Sequence, residues 1–308
     1  MKTVVTGGAG FIGSNIVDAL LARGDEVVVL DDLSTGYADN VPAGVELVKG
    51  DVADDASVRL AMKGAELVFH EAAHRAVSRS VEAPLATDRA NTHGTLTVLK
   101  AALDAGARRF VHASSSSVYG GAAQLPTPES APLLPRSPYA VTKLAAEHYC
   151  RVFSELFGLE TVALRYFNVF GPRQRPDSSY AAVIPLFVHA LRNGERPVLH
   201  GDGLQSRDFT YIDDVVRANL LAAEAPAEAV AGNAYNIAGG RPHSLLDLLE
   251  ILGQILGTTP NPKHVDPRPG DIKHSYAQVD AAANDLGWRA EVGFDDGLRR
   301  TIEWSSGR

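Results

Sequence analysis

A glycine-interrupted turn near the N-terminus restricts what this chain can fold into more than any other stretch. Met1-Lys2-Thr3-Val4-Val5-Thr6 favours an extended strand, and Gly7-Gly8-Ala9-Gly10-Phe11-Ile12-Gly13 breaks it. Residues 14–23 carry Ile16, Val17, Leu20 and Leu21 at helical spacing, and Gly24-Asp25 stops the helix. Residues 26–30 form a second apolar strand ending at Asp31-Asp32. Strand, glycine turn, helix, strand and acid is the arrangement of a dinucleotide-binding unit. Gly7 permits the tight turn, Gly10 admits a pyrophosphate close to the backbone, and Gly13 lets helix and strand approach. The unpaired N–H groups of the helix then face the phosphates. Asp31 is placed to accept from the adenosine ribose hydroxyls and would repel a 2′-phosphate, so NAD is expected rather than NADP.

The composition sets wider bounds. At 308 residues, with 45% hydrophobic and 21% charged, the chain suits one large globular unit with a smaller appendage. No apolar run is long enough to cross a bilayer, and the opening residues read as a strand rather than a signal peptide. The single cysteine, Cys150, allows no internal disulfide; a buried helix position and a cytoplasmic location are expected. The formal charge of −8 argues against nucleic acid as a partner, although converging arginines still suit an anionic diphosphate. The ten histidines lack metal-ligand spacing, so no metal is expected, and His112 reads as a packed strand residue.

Strand and helix alternate further along. Strands are expected at 45–52, 65–70, 109–113 and 160–166, with helices from Asp54 through Met62, over 84–105 and over 139–157. The fold class is therefore α/β, a doubly wound parallel sheet of the Rossmann type. Beyond residue 172, Pro and Gly become dense, and shorter helices are expected at 180–192, 213–223, 245–256 and 295–304. Residues 1–171 are expected to bind NAD, and 172–308 to form mainly a smaller α/β substrate-binding lobe that interleaves with them.

Two further motifs carry chemistry. Tyr139-Ala140-Val141-Thr142-Lys143 puts a phenol and an ammonium one helical turn apart. A neighbouring Lys⁺ and a positive nicotinamide ring favour the phenolate, which lets Tyr139 take a proton from a substrate hydroxyl. Ser114-Ser115-Ser116-Ser117 stands at the carboxyl end of a strand, beside the crevice where doubly wound sheets take ligands.

In this order the segments resemble the extended short-chain dehydrogenase/reductases of the nucleotide-sugar epimerase and dehydratase group, over essentially the whole chain. The resemblance rests on Thr6 to Gly13, Asp31-Asp32-Leu33, Gly50-Asp51-Val52, Ala72-Ala73-His74, Ser115 with Val118-Tyr119-Gly120, and Tyr139 with Lys143. It continues in Arg165-Tyr166-Phe167-Asn168-Val169-Phe170-Gly171-Pro172, Arg207-Asp208-Phe209 and Arg268-Pro269-Gly270-Asp271. What it implies is catalysis by Ser115, Tyr139 and Lys143, with NAD tightly bound and regenerated in each cycle. The cofactor would be held by Gly7, Gly10, Phe11, Ile12, Gly13, Asp31, Asp32, Ser34 and Gly36, and its adenine by Asp51 and Val52. Ala72, Ala73, His74, Asn91, Tyr139, Lys143, Tyr166 and Val169 would complete that site. A UDP-sugar would meet Ser115, Ser116, Ser117, Tyr139, Asn168, Arg175, Gln205, Arg207, Arg268 and Asp271. The family is usually dimeric through the helices near 96–105 and 140–157, so a homodimer is expected.

Departures from the family narrow the reaction. Dehydratases of the group carry Asp-Glu where this chain has Ser116-Ser117, and decarboxylases carry Glu at the Ser117 position. What remains is epimerisation at C4 through a 4-keto sugar, so the chain reads as an enzyme and not as a non-catalytic NAD-binding regulator, which would lose Tyr or Lys. The hydroxyls of Ser115, Ser116 and Ser117 together with Arg175 suit a C6 carboxylate and favour UDP-glucuronate. Asn168 is what UDP-glucose 4-epimerases carry, where glucuronate epimerases often have Thr, and it keeps UDP-glucose/UDP-galactose as the alternative.

Overall fold

Alternating apolar strands and amphipathic helices build one open sheet in the computed structural model, which describes residues 1–121, 124–174, 182–267 and 272–306. The chain runs through β1 (Lys2–Thr6), α1 (Phe11–Arg23), β2 (Glu26–Asp31), β3 (Glu46–Lys49), α2 (Asp55–Met62) and β4 (Leu67–His70). Three helical pieces follow, α3 (Val77–Glu82), α4 (Pro84–Asp88) and α5 (Gly94–Ala105), then β5 (Arg109–Ser115), α6 (Pro138–Phe157) and β6 (Glu160–Tyr166). Next come β7 (Val169–Phe170), α7 (Val183–Arg192), β8 (Val198–His200), β9 (Ser206–Asp208), β10 (Thr210–Tyr211), α8 (Ile212–Glu224) and α9 (Ala227–Val230). The chain ends with β11 (Asn233–Ile237), β12 (Pro242–Ser244), α10 (Leu245–Leu256), β13 (Lys263–Val265), β14 (His274–Ser275), α11 (Asp280–Leu286) and α12 (Phe294–Ser306).

Seven strands pair in parallel in the order β11-β6-β5-β4-β1-β2-β3. Chain direction across the sheet reverses between β1 and β4, and the crevice outside the carboxyl ends there is where such a sheet takes its ligand. Helices cover both faces, so the central strands are apolar on both sides: Val4, Val5, Val68 and Phe69 are all fully buried. One core packs α1 and α8 on the sheet through Ile16, Leu20, Val215 and Ala218. The other packs α2, α5 and α6 through Val58, Leu99 and Cys150. Residues beyond β6 add three small sheets, β12-β9-β14, β10-β7 and β13-β8. Among the described residues no helix is long and apolar enough to cross a membrane.

Three local features differ from the sequence reading. The strand expected over 45–52 ends at Lys49, because Gly50 N–H turns to Asp31 O (3.1 Å) and Asp51 accepts from Ala53 N–H (2.8 Å). The helix expected over 84–105 is interrupted by a π turn at Arg89–His93. Such a turn re-aims its side chains, and here Asn91 accepts from His74 N–H (2.8 Å) and donates to Thr142 Oγ1 (3.0 Å). The unanticipated β11 returns from the C-terminal part of the chain to pair with β6. Asp54 does cap α2, accepting from Ser57 N–H at 2.9 Å.

Beneath α6 lies a charged pair that fixes how the helix sits. Arg165 on β6 donates from Nε and Nη2 to Glu147 at 3.0 and 2.8 Å, and the two residues are only 5% and 8% exposed. Ser114 also donates to Glu147, and Arg165 Nη1 donates to the Tyr119 hydroxyl (2.7 Å), which in turn donates to Asn236 Oδ1 on β11 (2.7 Å). Removing one member strands a buried charge. Arg165→Met is therefore expected to cost about 3–5 kcal/mol of unfolding free energy, and Arg165→Met with Glu147→Leu to recover much of it; urea denaturation reads both.

Candidate active site

The turn after β1 closes tightly. Gly7, at φ 70°, donates to Leu30 O (2.8 Å) and accepts from Gly10 N–H (3.0 Å). A Cβ on Gly13 would stand 2.3 Å from Gly7 O, so only glycine lets α1 begin this near the turn. No side chain caps α1 at Gly10 and no acid stands in its first turn, which leaves its N–H groups directed at an anion. Asp31 closes β2 beside the turn, where its carboxylate accepts from Ala9 N–H (3.0 Å) and Leu33 N–H (2.8 Å). Burial raises its pKa, and the two backbone donors oppose that rise. An open helix terminus for the diphosphate, with an acid for the ribose diol one strand away, fits a dinucleotide.

From this turn a solvent-open cleft, about 1130 Å³ including its open mouth, runs across the switch point to α6. The sequence-identified residues Gly7, Gly10, Phe11, Ile12, Gly13, Asp31, Asp32, Ser34, Asp51, Val52, Ala72, Ala73 and His74 line it. Tyr139, Lys143 and Tyr166 line its far end. Three expected cofactor residues stand back from it. Gly36 packs on Ala9, where a Cβ would meet backbone at 2.8 Å. Asn91 braces His74 from the π turn, and Val169 pairs with Thr210 between β7 and β10.

At the far end the chemistry-bearing groups converge on the carboxyl edge of β5. The Ser115 hydroxyl hydrogen-bonds the Tyr139 phenol and also accepts from Ser117 N–H (3.2 Å). Lys143 Nζ donates to Ala113 O at 2.6 Å. Burial pushes the Lys143 ammonium down to about 8, with Glu71 opposing. Burial also raises the Tyr139 phenol, against the Ser115 hydrogen bond and the Arg75 charge. Lys143, expected to pull the phenol down, is not among the groups that shift it; Ser115 and Arg75 lower it, and desolvation prevails.

Residues expected to meet substrate lie farther out. Ser116 and Ser117 form a single 3₁₀ turn after β5, and the Ser117 hydroxyl is buried with no partner. Asn168, at φ 29°, donates to Asp208 O (3.2 Å), Gln205 donates to His200 O (2.7 Å), and Arg207 donates to Ser206 O (2.9 Å). Arg175, Arg268 and Asp271 lie outside the described residues.

Several cleft residues escaped the sequence reading, among them Tyr37, Asn40, Glu71, Arg75 and Arg173. Asn40 donates to Ala9 O (2.9 Å) and Arg173 pairs with Asp18 (2.6 Å), contacts between segments far apart in the chain. Glu71 had a readable signal: it is an acid at the carboxyl end of β4, beside the switch point.

A strand–glycine–helix turn feeding a Ser–Tyr–Lys set defines a dinucleotide-dependent enzyme acting on a carbon that bears a hydroxyl. Residues 3–238 match the model of the NAD dependent epimerase/dehydratase family. A UDP-glucose 4-epimerase of Mycolicibacterium smegmatis is 39% identical over 311 residues, covering 99% of this chain and 98% of the relative. The crystal structure of a UDP-glucose 4-epimerase from Thermotoga maritima with UDP-glucose superposes with a TM-score of 0.95 at 36% identity, covering 100% and 99% of the two chains. A UDP-N-acetylglucosamine 4-epimerase from Methanobrevibacter ruminantium, in complex with UDP-N-acetylmuramic acid, gives 0.94 at 40% identity, covering 99% and 98%. The chain belongs to the NAD dependent epimerase/dehydratase family, and NAD is its cofactor. Gly13→Ala, which sets a methyl group against Gly7 O, is expected to weaken NAD binding by more than about tenfold, on the order of 1.4 kcal/mol, in calorimetric titration.

Proposed function

We propose that this chain interconverts UDP-hexoses that differ in configuration at C4. The observation that carries the reading is the Ser115–Tyr139–Lys143 set at the β5 edge, followed in the 3₁₀ turn by Ser116 and Ser117 rather than acids. Dehydration or decarboxylation would need an acid in that turn. When bound, NAD accepts and returns the C4 hydrogen as a hydride. Tyr139 takes the proton of the 4-hydroxyl and gives it back, with Ser115 hydrogen-bonding the same oxygen. Lys143, held on Ala113 O, supplies the positive charge that steadies the phenolate. Asp31 takes the adenosine ribose and the N-terminus of α1 the diphosphate, with Asp51 and Val52 at the adenine. Asn168, Gln205, Arg207, Arg268 and Asp271 hold the UDP group, leaving the 4-keto sugar free to turn about its diphosphate link and present its other face.

For the sugar, the unpartnered Ser117 hydroxyl beside Ser116 supports UDP-glucuronate, since a C6 carboxylate accepts from hydroxyls. Asn168 and the names of two of the three relatives favour UDP-glucose as the second reading. Proton NMR of the products separates them. UDP-galacturonate from UDP-glucuronate, without UDP-xylose, supports the first, and UDP-galactose from UDP-glucose alone supports the second. Turnover of neither these two nor UDP-N-acetylglucosamine overturns the reaction class. Tyr139→Phe is expected to lower kcat by about 10²–10⁴-fold with NAD still bound.

A homodimer is part of the same proposal. Val98 and Leu99 of α5 are fully buried in the sheet core, so they are not available to a partner. The exposed apolar side chains are instead Val141, Val152 and Leu156 (71% exposed) of α6, with Val81 of α3 and Leu85 (85%) of α4, which pack beside it. Leu85→Glu with Val152→Glu is expected to convert dimer to monomer in light scattering; a monomeric wild-type protein would refute the dimer.

A further inference from the structure

Glu71 is the acid that the proposed reaction leaves without a role. It follows β4 at the switch point and lines the same end of the cleft as Ala113, Tyr139, Lys143 and Tyr166. A directed hydrogen-bond chain from α8 sets its place. Asn219 Nδ2 donates to Val215 O (2.9 Å) and to the Tyr166 oxygen (2.8 Å); that hydroxyl has Glu71 Oε1 at 2.9 Å and Asn219 Oδ1 at 3.1 Å as acceptors, and the nearer, charged carboxylate is the stronger one. Tyr166 and Asn219 are 8% and 0% exposed, which makes this an interior arrangement and not a surface encounter. A phenol that donates in this direction suits an ionised carboxylate.

Hydride transfer requires the nicotinamide ring to lie against the C4 carbon served by Tyr139, hence at Glu71's end of the cleft. The ring is cationic when oxidised and neutral when reduced. We propose that Glu71 sets the oxidation balance of the bound cofactor, its carboxylate favouring NAD⁺ over NADH. This inference rests on the placement of NAD described above. Reduction moves a hydride, one hydrogen with two electrons, from C4 to the ring, while the hydroxyl proton passes to Tyr139. The positive charge of the ring is lost in that step. A fixed negative charge beside it opposes reduction and assists return of the hydride. An epimerase needs that bias, because loss of the ketone from a reduced enzyme is a dead end.

The bias should follow pH. Burial pushes the Glu71 carboxyl up to about 7, with the Tyr166 hydrogen bond and the Lys143 charge opposing. The other charged or titratable groups facing this end are Lys143 and Tyr139 from α6, Tyr166 from β6 and Arg75 beyond β4. Burial pushes Lys143 down to about 8 and raises both phenols. His70 bonds Thr6 and Thr95 on its other side and is pushed down to about 3, so it stays neutral. Preference for NAD⁺ therefore grows as Glu71 ionises through neutrality.

The test equilibrates the protein with NAD⁺/NADH mixtures of fixed ratio from about pH 6 to about pH 8 and reads the bound reduced fraction by near-ultraviolet absorbance. In the wild type, bound NADH relative to NAD⁺ should fall as pH rises. Glu71→Gln should raise that ratio by about tenfold at the upper pH and flatten its pH dependence. Tyr166→Phe, which removes the donor but keeps the acid, should move the wild-type pH dependence upward. Equal ratios in wild type and Glu71→Gln at every pH would overturn the inference. If Gly13→Ala also leaves NAD affinity unchanged, the placement of the cofactor itself falls instead.

Discussion

The Glu147–Arg165 pair beneath α6 is the constraint on which the active end of the molecule depends. Both charges are buried, so neither is tolerable without the other. Arg165 is anchored on β6, which leaves Glu147 a single acceptable position and α6 a single depth and rotation on the sheet. Lys143, one turn earlier, then reaches Ala113 O, and Tyr139, one turn earlier again, reaches the Ser115 hydroxyl. The same guanidinium holds the Tyr119 hydroxyl, and through it Asn236 on β11. Asn236 also donates to Thr127 O and Gln278 O, both at 3.0 Å. The catalytic helix, the seventh strand and the segment before α11 are thereby tied by one polar network whose members cannot move independently.

A second constraint fixes the opposite end of the cleft. The contact of Gly13 with Gly7 O decides how near α1 starts to β1, and hence where its free N–H groups point. The distance between this turn and Tyr139 is then set by the sheet, because β1, β4 and β5 are adjacent in it. The glycine-turn end and the Tyr139 end of the cleft are therefore separated by a rigid spacing of strands. The loops only line that spacing.

Most of the framework was legible because it is local. The glycine turn, the strand–helix periods and Tyr139 with Lys143 each fall within a few residues, and residues 245–256 form a helix over the expected span. What was not legible depends on partners distant in the chain. Nothing near residue 91 announces a π turn, which arises because Asn91 must reach both His74 and Thr142. Nor does anything near Asn233 announce a seventh strand, since its partner β6 lies some seventy residues earlier. Glu147 reads as one more polar position on a long helix until Arg165 is found opposite it. Most of the expected cofactor residues line the cleft, yet Gly36, Asn91 and Val169 stand back from its lining, a distinction of depth that linear spacing does not encode.

The electrostatics of the nicotinamide end explain why the familiar Tyr–Lys spacing is insufficient by itself. Desolvation moves each ionisable group there toward its neutral form: the Tyr139 phenol up, the Lys143 ammonium down to about 8, and the Glu71 carboxyl up to about 7. Tyr139 is consequently a poor base on the strength of the protein's own side chains, even with Lys143 one turn away. On the proposed placement of NAD, a cationic ring at this end would supply positive charge where it acts most strongly, favouring the phenolate and the carboxylate together. Under the proposed function, basicity at Tyr139 would be coupled to the oxidised cofactor, whose charge would ready the phenol to accept the proton. On the proposed placement of NAD, loss of the ring's charge would withdraw that support, and Tyr139 would hold its proton more firmly; one charge in a low-dielectric cleft would then govern the phenol without any moving part.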